Sequence, residues 1–159
     1  MHELKVPGGD DTVVVYGLAH TNEPQSIQEV LVILRTVLDI QRLFEVTEPK
    51  LLAIRCNPSQ VQMVEWLLPL LDRTTADGSG SEARMPGGND DVVHVFYLSH
   101  LIDLRRMNGL LTDIRKTVYI QKAFMRSTPP ALVLRGTADQ IATAGRMIEL
   151  SDRVPEPPK

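Results

Sequence analysis

The sequence LLAIRCNPSQV at residues 51–61 and the sequence ALVLRGTADQI at residues 131–141 encode the same local structure. Each begins with a mostly apolar run, which is typical of a β-strand. Each continues with a residue that caps helices, Asn57 or Thr137, and with a glutamine three positions later. Because such a pair satisfies free amides in the first turn of a helix, both stretches predict a strand that leads directly into a helix.

These stretches belong to an internal repeat. A shift of 80 residues aligns residues 18–73 with residues 98–153 without a gap and gives fourteen identities. They include His20/His100, Leu31/Leu111, Arg35/Arg115, Ile40/Ile120, Gln41/Gln121, Phe44/Phe124, Pro49/Pro129, Arg55/Arg135, Gln60/Gln140 and Asp72/Asp152. One quarter identity in an ungapped register indicates two copies of one module. The sequences VPGGDD at 6–11 and MPGGND at 85–90 are offset by only 79 residues, which predicts one extra residue in the first strand of the second copy, around residues 91–95.

Each copy has the same predicted order of elements. An apolar run, at residues 12–19 or 92–99, predicts a first strand, and the Pro-Gly-Gly segment before it predicts an entry turn. An amphipathic helix follows at residues 26–40; in the second copy its apolar stripe is Leu104, Met107, Leu110, Leu111, Ile114 and Val118. A hairpin and a second helix complete the copy. The predicted fold class is therefore α+β, with two tandem β-α-β-β-α modules, each a three-stranded sheet with two helices on one face.

The composition of the chain predicts where the modules begin and end. Residues 1–73 form the first predicted module and residues 90–154 the second. Between them, residues 74–89 form a predicted Gly/Ser/acidic linker, and residues 155–159 form a Pro-rich tail.

The second copy resembles the N-domains of bacterial secretins. The resemblance rests on the strand ending VFYLSH, on ALVLRGTADQI and on the final helix ATAGRMIELSD; in the first copy it rests on LLAIRCNPSQVQMVEWLLPLLD. It implies a KH-like fold, ring-building oligomers and docking to other proteins of a cell-envelope secretion system. It also implies the periplasm or cell envelope if the chain is a segment of an exported protein, whereas a complete chain would be expected in the cytoplasm.

Sequence motifs for catalysis are missing from the chain. The single cysteine, Cys56, aligns with Gly136, which predicts a position that requires a small residue rather than a nucleophile. Neither His20 nor His100 has a nearby Cys, Asp or Glu at the spacing of metal ligands that recurs in both copies. No Gly-rich loop precedes Lys-Ser or Lys-Thr, as a phosphate-binding loop would require. The sequence therefore predicts a protein that is not an enzyme and that uses no cofactor and no metal ion. No window approaches the roughly 18 apolar residues of a membrane span.

A nucleic-acid-binding role is the alternative interpretation. KH domains hold phosphates with a Gly-x-x-Gly loop, and no two glycines of this chain are three residues apart. The net charge of −3 gives no overall attraction to a polyanion. A basic stretch that includes Arg105, Arg106 and Lys116 leaves open the alternative that the chain is a KH-type protein that binds single-stranded nucleic acid. A solvated helix face is the preferred interpretation of this stretch.

Two patterns indicate a protein partner instead. Residues 1–80 carry 6 basic and 11 acidic residues, whereas residues 81–159 carry 11 basic and 9 acidic residues, which favours contact between unlike copies, including a homo-oligomer. The first strand of each copy is apolar on both faces, although helices are expected on only one. The candidate interaction surface is therefore Val93, Val95 and Tyr97 on the far face of the sheet, together with Arg105, Arg106 and Lys116.

Overall fold

The computed structural model describes residues 2–5, 11–21, 23–46, 51–73, 80–85, 91–101, 103–120, 122–127 and 129–152. The chain divides into two compact units, Met1–Thr74 and Thr75–Lys159. The first unit contains β1 (His2–Lys5), β2 (Thr12–Gly17), α1 (Pro24–Val37), β3 (Arg42–Val46), β4 (Leu51–Cys56) and α2 (Pro58–Leu71). The second unit contains β5 (Ser81–Arg84), β6 (Val92–Tyr97), α3 (Leu104–Val118), β7 (Lys122–Arg126), β8 (Ala131–Gly136) and α4 (Ala138–Ser151). The α+β class is confirmed.

Each sheet has four antiparallel strands, so the predicted three-stranded sheet is wrong. The strand orders are β1-β2-β4-β3 and β5-β6-β8-β7. The additional strands, β1 and β5, are edge strands of four residues each. Their sequences, HELK and SEAR, have no apolar run that would predict a strand. Backbone pairing with a long apolar neighbour is sufficient to form them, and part of the predicted linker 74–89 is therefore a strand.

The extra residue of the second copy lies outside the strands. Thr12 pairs with Cys56 and Val92 with Gly136, so the 80-residue register holds through the first long strand of both units. His2 pairs with Val15, whereas Ser81 pairs with Val95, which places the insertion between β5 and β6. An extra residue inside β6 would turn the following side chains to the opposite face of the sheet. The predicted insertion around residues 91–95 is thus wrong, and the two Pro-Gly-Gly segments lie outside the described residues.

The predicted starts of the second helices are confirmed. In α2 the Asn57 side chain accepts a hydrogen bond from the Gln60 amide at 2.8 Å, and the Gln60 side chain accepts one from the Asn57 amide at 3.0 Å. Thr137 and Gln140 form the same capping box at the start of α4. The Gln60 side chain also donates to the Leu38 carbonyl at 3.3 Å, and Gln140 donates to the Val118 carbonyl at 3.2 Å. One glutamine in each unit therefore caps the second helix and binds the end of the first.

The helices of the second unit pack on one face of its sheet. Alternate strand residues, Val92, Leu132, Leu134 and Ala123, join one core with residues of α3 and α4. The residues between them face away from the helices because successive strand side chains point to opposite faces. We call that opposite side the helix-free face.

Tyr119 ends α3 in a left-handed backbone conformation with φ of 64°. Its side chain is 74% exposed, so little packing offsets the cost of this conformation. Tyr119→Gly is expected to stabilise the second unit by about 1 kcal/mol, because glycine adopts the left-handed region freely. Urea unfolding followed by circular dichroism measures the change. Asp39 occupies the equivalent position in the first unit with φ of 57°, and Asp39→Gly should gain less because aspartate tolerates this region better.

Candidate interaction surfaces

The structure does not bring the six predicted surface residues together. Val93, Val95 and Tyr97 lie on the helix-free face of the second sheet, since they alternate with Val92 and the other residues of the helix-packed core. The predicted basic residues lie on α3, which covers the opposite face. The two groups are therefore separated by the thickness of the sheet.

Val93 and Val95 have no solvent exposure, and Tyr97 is 7% exposed. Their β8 neighbours on the same face, Ala131 and Val133, are also fully buried. We call this surface the closed face.

The three basic residues of α3 are exposed but do not converge. Arg105 and Lys116 are eleven residues apart, so they project in nearly the same direction from points about 16 Å apart along the helix. Arg106 points about 100° away from Arg105. It lines a cavity of about 260 Å³ together with Asp113. This arrangement is a dispersed basic helix surface rather than one patch.

Among the described residues, one face of the first sheet is less buried than the other. Val13 and Val15 of β2 and Ala53 of β4 are half-buried, while Val14, Leu52 and Ile54 between them are fully buried. Phe44 of β3 is opposite Ala53 in the sheet and is 63% exposed. We call the surface formed by Val13, Val15, Phe44 and Ala53 the open face. The exposed Phe44 ring, together with the half-buried valines and Ala53, makes this face a candidate interaction surface.

Charged groups lie at one end of the open face. Arg42 and Arg55 are opposite each other on β3 and β4, and Arg42 is exposed. The Arg55 side chain pairs with Asp11 at 3.1 Å. Arg135 and Asp91 form the equivalent pair in the second unit at 3.0 Å. An apolar centre with charged residues at its edge is the usual composition of a protein interface.

An aspartate after the last helix holds the loop that follows the first long strand in each unit. The Asp72 carboxylate accepts hydrogen bonds from the amides of Ala19 and His20 and from the Thr21 hydroxyl, at 2.8–2.9 Å. In the second unit the Asp152 carboxylate accepts from the amides of Ser99, His100 and Leu101, at 2.7–3.1 Å.

The hydrogen bonds to Asp152 affect its acidity. Burial raises the pKa of Asp152, but the amides of Ser99, Leu101 and His100 and the charge of His100 outweigh that effect, so the pKa lies below its usual value. The carboxylate therefore stays ionised at neutral pH.

A groove of about 600 Å³ lies between α4 and β6 in the second unit. Its lining includes His94 and Phe96, whose rings stack with centroids 3.8 Å apart. The His94 ring nitrogen Nδ1 lies 3.0 Å from a carboxylate oxygen of Glu82, which faces it across β5 and β6. This groove was not predicted from the sequence, because its walls come from residues about 50 positions apart.

The described residues contain no group of three or more His, Cys, Asp or Glu side chains that could hold a metal ion. Cys56 is a buried thiol that forms no disulfide. Among the helices of the described segments, none combines the length and apolar character needed to cross a membrane.

Comparison with known protein families, curated proteins and solved structures gives no match.

Proposed function

We propose that this chain is a non-catalytic assembly module that binds protein through the open face of its first unit. The observation that carries the proposal is the contrast between two copies of one fold. Val13 and Val15 are half-buried, whereas Val93 and Val95 at the equivalent positions are completely buried. The same apolar surface that is enclosed in one unit is thus left accessible in the other.

Burial of the open face provides a driving force for association. Phe44 is the largest exposed side chain on it, and complete burial of a phenylalanine contributes about 1.5–3 kcal/mol. The neighbouring valines and Ala53 enlarge the apolar contact. Aromatic anchors of this kind dominate the binding energy of many protein interfaces.

A second copy of the chain is the partner that the charges favour. The first 80 residues carry more acidic than basic residues, and the remaining residues carry more basic than acidic ones. Such unlike halves favour a head-to-tail association between chains. The resemblance to secretin N-domains supports a bacterial cell-envelope assembly as the setting of this association.

Sedimentation equilibrium over a series of protein concentrations tests the proposal. The wild-type chain is expected to self-associate, and Phe44→Asp is expected to weaken association at least about tenfold, because a charge would be buried at the interface. Leu150→Asp is the matched control, since Leu150 is also 63% exposed but lies on α4 of the second unit.

Two results would overturn the proposal. One is a wild-type chain that stays monomeric at every concentration. The other is an equal effect of Phe44→Asp and Leu150→Asp. Tight, salt-sensitive binding of single-stranded RNA by such a monomer would favour the KH-type alternative.

A further inference from the structure

The groove between α4 and β6 has small residues at two positions of the wall formed by α4. Ala142 and Gly145 line it, and a Cβ atom at Gly145 would lie 3.3 Å from the Phe96 ring. In the first unit the equivalent positions are Gln62 and Glu65. Gly145 therefore lets the helix approach the ring closely, and the stacked rings of His94 and Phe96 form an aromatic surface inside the groove.

The volume of the groove is suitable for a bound group. Binding sites for small ligands commonly have 300–1,000 Å³, and this groove has about 600 Å³. Its lining combines apolar and aromatic surface with a few polar groups, which is the usual composition of such sites.

Two carboxylates give the groove a negative end. Glu149 and Asp152 both line it and are three residues apart at the end of α4. Glu149 is exposed and has no hydrogen-bond or ion-pair partner among the residues that the structure describes. Asp152 retains its charge while its carboxylate accepts hydrogen bonds from the loop amides.

One cationic side chain accompanies these two carboxylates in the lining of the groove. Arg146 lines the groove, but its guanidinium donates to the Thr143 hydroxyl at 3.3 Å, one turn towards the start of α4. The His94 side chain is within hydrogen-bond distance of the Glu82 carboxylate. The groove thus offers an aromatic surface beside two carboxylates, which outnumber the single arginine among its lining residues.

We propose that this groove binds the guanidinium group of an arginine side chain from a protein partner. A guanidinium is planar, packs on aromatic rings and forms hydrogen bonds with carboxylates, so it matches both parts of the lining. The ammonium of lysine lacks the planar surface that would lie against the rings. This site is on a different unit from the open face and does not depend on the function proposed above.

An NMR titration of the ¹⁵N-labelled chain with benzamidine tests the proposal. Benzamidine carries a planar amidinium, and benzoate is a control of similar shape and opposite charge. We expect benzamidine to shift amide signals of residues 94–99 and 142–152, and benzoate to leave them unchanged. N-acetyl-arginine amide should shift the same signals at lower concentration than N-acetyl-lysine amide.

Glu149→Gln tests whether the carboxylate charge contributes to binding, since it removes one charge and preserves the shape of the side chain. Benzamidine affinity is expected to fall about three- to fivefold, as for a partly exposed ion pair. Glu65→Gln, on α2 of the first unit, should leave the affinity unchanged.

Equal binding of benzamidine and benzoate, shifts outside the groove, or no shifts at all would overturn the proposal. The titration is repeated in the Phe44→Asp variant, so loss of self-association cannot be mistaken for loss of this site.

Discussion

Val95→Asp is expected to destabilise the second unit by at least about 4 kcal/mol. Val95 has no solvent exposure, and its neighbours on the closed face, Val93 and Val133, are equally buried. A carboxylate at this position would lose its hydration among the buried side chains of the closed face. Hydrogen exchange of the β6 and β8 amides measures the loss, because these strands form the centre of the second sheet.

Val15→Asp is the matched control for this experiment. Val15 occupies the equivalent strand position in the first unit, but it is only half-buried on the open face. Its replacement should cost about 1 kcal/mol, mainly through the lower preference of aspartate for strands. Trp66, the only tryptophan, lies on α2 and reports unfolding of the first unit by fluorescence. Similar losses for the two variants would contradict the distinction between a closed and an open face.

The repeat allowed the α+β class and the starts of the second helices to be predicted. Capping pairs such as Asn57 and Gln60 specify local hydrogen bonds, and these depend on residues only three positions apart. The edge strands were missed because β1 and β5 are short and depend on pairing with β2 and β6 rather than on their own sequences. A local pattern predicts an element well only when local interactions stabilise it.

The environment of each sheet face could not be predicted in the same way. Val13 and Val15 are identical to Val93 and Val95, yet the first pair is half-buried and the second is fully buried. The apolar alternation of β2 and β6 correctly indicated two apolar faces. It contains no information on which face other protein atoms cover, because that depends on residues distant in sequence.

The repeat places an aspartate at the same position of both copies, Asp72 and Asp152, but it does not indicate what these side chains bind. Each carboxylate binds a loop 51–53 residues earlier in the chain, so no sequence spacing indicates the contact. The partners are mostly backbone amides, which every residue except proline provides. The same aspartate can therefore bind the loop in both copies although the loop residues differ, as Ala19 and Thr21 differ from Ser99 and Leu101.

Asp152→Ala is expected to destabilise the second unit by about 2 kcal/mol. The substitution removes a charged acceptor from the amides of Ser99, His100 and Leu101, and water can replace it only at the more exposed of them. Asp72→Ala should have a larger effect on the first unit, because Asp72 is only 5% exposed. Glu149→Ala is the control on the same helix, as Glu149 is exposed and has no partner among the described residues.

The contribution of Asp152 should also depend on pH in a defined direction. Its pKa in the folded protein is lowered, so the unfolded chain binds the proton more readily and acid favours unfolding. The stabilisation is complete above the ordinary aspartate pKa of about 3.9 and is lost as the pH falls through the lower pKa of the folded state. Urea unfolding at several pH values should therefore show the Asp152→Ala and wild-type stabilities converging in acid. A constant difference between the two proteins from neutral pH to well below pH 3.9 would show that the loop amides do not stabilise the ionised carboxylate.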